Sequence, residues 1–246
     1  MQHIAIVGAT SLIAEHCARI WVRQPVRLTL AGRNAAHLAR IADDLKIRSP
    51  LSDIHWEVMD FQNREGIEQF TDRLFEKGGV DTVLIAHGSL PDQKACEKDL
   101  ARMEHALISN GLSPLLFAEA FAKHMAKRNK GTIAVIGSVA GDRGRRSNYI
   151  YGAAKGLVDR YLEGIRHRFV GTDVKIVTIK PGPTRTPMTA SLAAVPAGLA
   201  EPSKVAEDIV AGIATGKAIV YTPVKWRLIM LIIRHLPKFV FNRLNI

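Results

Sequence analysis

Short apolar runs alternate with amphipathic stretches along almost the whole chain. Residues 4–7 form a β-rich run that breaks at Gly8, and Ser11 can cap a helix that turns Leu12, Ile13 and Ile20 inward. Residues 26–31 predict a second strand, followed by Gly32-Arg33-Asn34 and a helix to about Arg48. A third strand over 54–58 ends at Met59-Asp60-Phe61, and a helix runs on to about Glu76. Residues 80–86 predict a fourth strand that ends at His87-Gly88. A long helical region follows, interrupted near Asn110-Gly111 and Ser113-Pro114. Residues 131–137 predict the fifth strand, 173–180 the sixth and 218–222 the seventh. Strands alternating with helices imply βαβ units, right-handed crossovers and a parallel sheet covered on both faces. The class expected is α/β.

In open sheets of this kind, ligands gather beyond the carboxyl ends of the strands. Gly8, Arg33, Asp60, Gly88, Ser138 and Pro181 all fall at such ends. The stretch 183–202 is rich in proline and small residues and is long for a plain connection, which suggests a substrate lid; a surface excursion with no role is the alternative. No repeat or linker divides the chain, so residues 1–224 read as one domain with 225–246 as its extension.

At 246 residues, with 47% hydrophobic and 23% charged residues, the composition is that of a globular protein with a substantial core. Cys17 and Cys96 have neither metal-ligand nor disulfide spacing, so no metal is expected and a reducing, cytoplasmic setting is. The first apolar run has no basic leader, and no stretch reaches the length of a membrane span. The net charge of +11 is uneven: no acid follows Asp208, while Lys217, Lys225, Arg227, Arg234, Lys238 and Arg243 do. These cations are interleaved with Leu, Ile, Met and Phe, a pattern that suits an anionic membrane surface or an acidic substrate better than nucleic acid.

Chemistry concentrates between Ser138 and Lys155. If Tyr151 opens a helix, Lys155 lies one turn on, on the same face. An ammonium there favours the phenolate and lowers the tyrosine pKa, as acid–base work near neutral pH requires. Ser138, at a strand end, can hydrogen-bond the same substrate oxygen. Phosphate suits the turn after the first strand, where a glycine precedes a helix N-terminus. After the second strand stand Gly32 and Arg33 with no carboxylate, which favours NADP(H) over NAD(H) because an arginine suits the 2′-phosphate. Arg143, Arg145 and Arg146 lie close to Ser138 in sequence. Their forked guanidinium groups suit an anionic substrate, with a solvated loop or a subunit contact as the alternative.

Over nearly its whole length the chain resembles the short-chain dehydrogenase/reductase family. The likeness rests on Gly8-Ala-Thr-Ser-Leu-Ile-Ala14, Asp60, Asn110, Ser138, Tyr151-x-x-x-Lys155 and Pro181-Gly182-x-x-x-Thr186. It implies a single Rossmann-type, doubly wound parallel sheet and hydride transfer between a nicotinamide and a ketone or secondary alcohol. By that resemblance Tyr151 is the acid–base, Lys155 its partner and a ribose ligand, and Ser138 the carbonyl polariser. Asn110 would hold a relay water against the lysine. The cofactor would run along Gly8, Thr10, Ser11, Leu12, Ile13, Arg33, Asp60, Phe61, Ala86, His87, Gly88, Tyr151, Lys155, Pro181, Gly182, Thr184 and Thr186. Two departures stand out: the glycine pattern is reduced to Gly8, and Ile85-Ala86-His87-Gly88 replaces the family's Asn-Asn-Ala-Gly. A narrower likeness, to reductases of decaprenylphosphoryl-2-keto-pentose, rests on residues 141–151 and on Trp226 to Lys238.

From this follow the expected partners: a small-molecule or lipid-linked carbonyl substrate, an anionic membrane contacted at its cytoplasmic (inner) face, a second copy in a homo-oligomer, and no nucleic acid. A soluble ketone or 3-oxoacyl reductase and a non-catalytic nucleotide-sensing protein remain the alternatives. The tail around residues 225–238 is apolar nearly all round, with Arg227, Arg234 and Lys238 as its cationic stripe. It reads either as a helix packed on protein or as one lying among lipid headgroups.

Overall fold

The computed structural model describes residues 1–190 and 198–244. Seven parallel strands form one sheet in the order β3-β2-β1-β4-β5-β6-β7. They are β1 (His3–Val7), β2 (Arg27–Gly32), β3 (Asp53–Val58), β4 (Thr82–Ile85), β5 (Gly131–Ile136), β6 (Val174–Pro181) and β7 (Ile219–Thr222). Each expected strand is present with ends displaced by a residue or two. The fourth is shorter than expected because Ile85 is its last paired residue, opposite Val7 and Val135, so the strand ends before His87.

The helices are α1 (Leu12–Trp21), α2 (Ala35–Arg48), α3 (Arg64–Glu76), α4 (Gln93–Lys98), α5 (Leu100–Leu107), α6 (Ser113–Arg128), α7 (Tyr149–Arg168), α8 (Pro187–Ala190), α9 (Pro202–Ala214), α10 (Lys225–His235) and α11 (Lys238–Phe241). Burying both sheet faces produces two apolar cores. One joins Ile4, Ile6, Leu28 and Leu30 to α1, α2 and α9. The other joins Val7, Val83, Ile85, Ile133 and Val135 to α3, α6 and α7, with Phe70, Phe117 and Phe121 at its centre. Cys17 and Cys96 are buried free thiols.

Strand order reverses between β1 and β4, which opens a crevice beyond their carboxyl ends. The irregularity expected near Asn110 is a π-helical turn, Ile108–Leu112, between α5 and α6. Such turns insert one residue into a helix and are frequent at functional sites. The lid expectation falls partly on 191–197, outside the described residues. The base of that excursion is pinned, since Arg185 donates its N–H to the Ala200 carbonyl and Ala200 donates to that of Pro183.

The tail packs on protein along one side of α10 only. Met230 is fully buried, and Trp226, Ile229 and Ile233 share its side of α10. Leu228, Leu231 and Ile232 are 63%, 55% and 56% exposed on the other side. No helix among the described residues is long and apolar enough to cross a membrane.

Candidate active site

The turn after β1 is stitched to β2, with Gly8 and Ala9 N–H donating to the Ala31 carbonyl at 2.9 and 3.0 Å. Gly8 has φ of 85°, and a Cβ there would lie 2.5 Å from the His87 backbone nitrogen. Both the dihedral and the space therefore require glycine. Ser11 precedes α1 in extended conformation but makes no capping bond with its side chain. The first N–H groups of α1, from Leu12 and Ile13 onward, thus lack an intrahelical or capping partner. This is the donor set and dipole end that a pyrophosphate takes, so these residues fit the dinucleotide expected from the sequence.

Arg33 is exposed at the end of β2. Asp60 uses Oδ1 to accept from Gln62 N–H at 2.9 Å. His87 is held in an aromatic nest, 4.6 Å from Phe61 and 5.5 Å from Phe117 between ring centroids. Its Nε2 lies 2.8 Å from Ser113 Oγ, which itself donates to the Phe61 carbonyl. Ser113 therefore accepts from His87, leaving Nδ1 a bare acceptor that is buried and unpartnered. Burial, reinforced by Lys155 and Arg33, lowers the His87 pKa to about 3, so the ring is neutral.

Asn110 is fully buried in the π-turn, its Nδ2 donating to Ala106 O at 2.9 Å and its Oδ1 accepting from Ser89 N–H at 2.8 Å. A Cβ on Gly88 would meet Asn110 Oδ1 at 2.8 Å and Lys155 Nζ at 3.6 Å, so these two side chains converge on one glycine. Lys155 Nζ donates to the Ile136 carbonyl at 2.9 Å and lies 5.8 Å from the centre of the Tyr151 ring. Ser138 Oγ accepts from Ala140 N–H at 3.1 Å. Asn110 from the π-turn, Ser138 from the end of β5, and Tyr151 and Lys155 from α7 therefore meet beyond the ends of β4 and β5.

One expectation is corrected here. The Tyr151 phenol is pushed up to about 12 by burial, with only a Ser138 hydrogen bond opposing, rather than lowered by Lys155. Lys155 itself drops to about 8 on burial, with the Asp159 charge acting against that. Desolvation outweighs the ammonium at this separation. Tyr151 is consequently a neutral phenol at physiological pH, the state of a proton donor.

The three loop arginines do different things. Arg143 Nη1 donates to the carbonyls of Ile233 and Leu236, and its guanidinium lies 3.8 Å from the Phe241 ring centre. It holds the tail rather than facing open solvent. Arg145 Nη2 sits 3.4 Å from Met230 Sδ, and its buried Nε has no hydrogen-bond partner. Burial lowers the Arg145 pKa, and Asp142 opposes that. Arg146 is exposed.

Thr184 Oγ1 donates to Gly182 O at 2.9 Å, and Thr186 N–H donates to Thr189 Oγ1 at 3.1 Å, both just beyond β6. Sequence reasoning missed Trp226 at this turn. A Cβ on Gly182 would lie 1.9 Å from its Nε1, so the indole rests directly on the Pro181-Gly182 backbone. Only its place in an apolar tail was readable beforehand.

A family model described as short chain dehydrogenase matches residues 2–196. The chain belongs to the short-chain dehydrogenase family. An uncharacterised oxidoreductase of Mycobacterium tuberculosis (strain H37Rv) is 29% identical over 238 residues, which cover 96% of this chain and 88% of that one. Among solved structures, a short-chain dehydrogenase from Sphingobium yanoikuyae in complex with NADPH superposes with a TM-score of 0.82 at 18% identity, covering 97% of each chain. An alcohol dehydrogenase from the archaeon Thermococcus sibiricus, complexed with 5-hydroxy-NADP, gives 0.79 at 22% identity, over 90% of this chain and 94% of that one. This short-chain dehydrogenase is an NAD(P)-dependent oxidoreductase, and its fold matches these structures over nine-tenths or more of its length.

Proposed function

We propose that this short-chain dehydrogenase reduces a ketone with NADPH and that its substrate bears a phosphate group, with a lipid-linked keto-sugar as the chemistry that best suits the chain. The observation that carries the reductive reading is the neutral, half-buried Tyr151 beside Ser138, Lys155 and Asn110. NADPH, when bound, supplies the hydride. Ser138 donates its hydroxyl proton toward the substrate oxygen, because Oγ is already an acceptor for Ala140 N–H. Tyr151 releases its proton to the same oxygen, and the Lys155 ammonium stabilises the phenolate left behind. Asn110 brings its Oδ1 to the same glycine as Lys155 Nζ and so marks a route for reprotonation. The open N–H groups of α1 hold the pyrophosphate and Arg33 holds the 2′-phosphate. The neighbours solved with NADPH and an NADP derivative lend support to that cofactor.

The unpaired Nε of half-buried Arg145 supports an anionic substrate. A second reading concerns where the substrate is met. Leu228, Leu231, Ile232 and Phe239 are exposed together with Lys225, Arg227, Arg234 and Lys238. An apolar face edged by cations suits an anionic leaflet, where each basic residue contributes about 1 kcal/mol. In this reading the protein works in the cytoplasm, against the inner face of the membrane, and assembles with copies of itself.

Turnover of a ketone panel, with and without phosphate and including polyprenylphosphoryl sugars, tests the substrate with NADPH and NADH. No reduction of any ketone refutes the reductase reading. A neutral ketone preferred over its phosphorylated analogue refutes the phosphate. Flotation with phosphatidylcholine vesicles, with and without phosphatidylglycerol, tests the membrane contact. Binding only to anionic vesicles, weakened by salt, is expected; indifference to both at low salt refutes it, and light scattering reads the oligomer.

A further inference from the structure

Beneath the catalytic loop lies a buried charge cluster with no part in the chemistry described above. Lys180, the residue before Pro181 on β6, pairs with Asp142 Oδ1 at 2.5 Å and with Asp159 Oδ2 at 2.8 Å. The side chains of Lys180, Asp142 and Asp159 are only 7%, 2% and 16% exposed. Tyr221 on β7 donates to Asp142 Oδ2 at 2.8 Å. Asp159 follows Lys155 by one helical turn, on the same face of α7.

Its carboxylate sits between the two glycines that flank the Ser138 loop. A Cβ on Gly137 would lie 3.2 Å from Asp159 Oδ1, and one on Gly141 would lie 2.9 Å from Oδ2. Neither oxygen has a hydrogen bond that meets normal geometry, so the carboxylate acts chiefly as a charge. Two carboxylates and one ammonium leave the cluster with one net negative charge, next to the single positive charge of Lys155.

We infer that Asp159, held in place by Lys180 and Asp142, is a positioning residue that keeps buried Lys155 in its ammonium form and seats the Ser138 loop over it. This rests on the role of Lys155 in the proposed reduction. The other groups facing Lys155 do not substitute for Asp159. Tyr151 and His87 are uncharged at neutral pH, and Asn110 and Ser138 do not titrate.

The test is the titration of Lys155, followed by NMR of lysine-labelled protein and assigned with Lys155→Met. Asp159→Asn is expected to lower the midpoint by at least about one pH unit, as loss of a nearby opposite charge does. Asp142→Asn, which also makes the cluster neutral, lowers it less because its carboxylate bears on Lys155 through Lys180. Asp159→Glu restores the wild-type midpoint, and Tyr221→Phe leaves it in place because no net charge changes. A midpoint in Asp159→Asn no lower than in Tyr221→Phe overturns the inference. Should Asp159→Asn not fold, an unmoved midpoint in Asp142→Asn overturns it instead. The NMR midpoint does not depend on turnover. A shifted midpoint without reduction of any ketone therefore sinks the reductase reading alone, and an unshifted one with normal reduction sinks this inference alone.

Discussion

Arg143→Met is expected to release α10 and α11 while leaving the sheet intact. Arg143 Nη1 donates to the Ile233 carbonyl and, at 2.9 Å, to that of Leu236, with a longer contact to Arg234 at 3.4 Å. Ile233 and Arg234 stand in the last turn of α10 and Leu236 just beyond it, where carbonyls run short of helical donors and carry the negative end of the dipole. A hydrogen bond from a charged donor contributes about 1.5–3 kcal/mol, and an exposed cation–π contact about 0.5–1 kcal/mol. The low end of each suits a side chain that is only half-buried, and two bonds plus the Phe241 contact then come to about 3.5 kcal/mol. At about 1.4 kcal/mol per factor of ten, the detached state of the tail rises roughly three-hundredfold. The tail's fully buried anchor is Met230, so the opening is local rather than global. Hydrogen–deuterium exchange read by mass spectrometry should show amides of 225–241 exchanging roughly three-hundredfold faster, with β1, β4 and β5 unchanged. Unchanged exchange in the tail, together with a raised KM for a phosphorylated ketone, would refute the clasp and return Arg143 to the substrate.

Tyr151→Phe should cut ketone reduction by about 10²–10⁴-fold while NADPH titration and the circular dichroism spectrum stay near wild type; near-normal turnover would reject the proton-donor role. Reduction needs the Lys155 ammonium, which is present below its pKa of about 8 and lost above it. The pH profile of kcat/KM should therefore be level through neutrality and fall in the basic range, and a profile still rising at pH 9 would contradict this. Arg33→Gln should weaken NADPH by roughly 10–100-fold in fluorescence titrations, the equivalent of one charge-assisted contact, and leave NADH unchanged. Equal weakening of both cofactors would remove Arg33 from the 2′-phosphate.

The strand–helix alternation, the parallel sheet and the strand ends that bring the candidate residues together were legible in the sequence because each depends on local periodicity and on glycine or proline at particular positions. Gly8 announced a tight turn, and the break at Asn110-Gly111 announced an interrupted helix. The spacing of Tyr151 and Lys155 placed them on one helical face, since α7 begins at Tyr149. None of this required knowing what lies opposite. Burial and partners did. The sequence could pair Lys155 with Tyr151 but could not weigh the ammonium against desolvation, and the packed site raised the phenol pKa instead. Three arginines in one loop looked alike until α10 was brought against them, whereupon Arg143 met helix carbonyls and Arg145 met Met230. Lys180, Asp142 and Asp159 come from separate segments, so their cluster exists only once β6, the Ser138 loop and α7 are packed together. Trp226 likewise reaches Gly182 across more than forty residues of chain. Periodicity is a property of neighbours along the chain, whereas charge balance and desolvation depend on neighbours in space, which only the tertiary structure brings together.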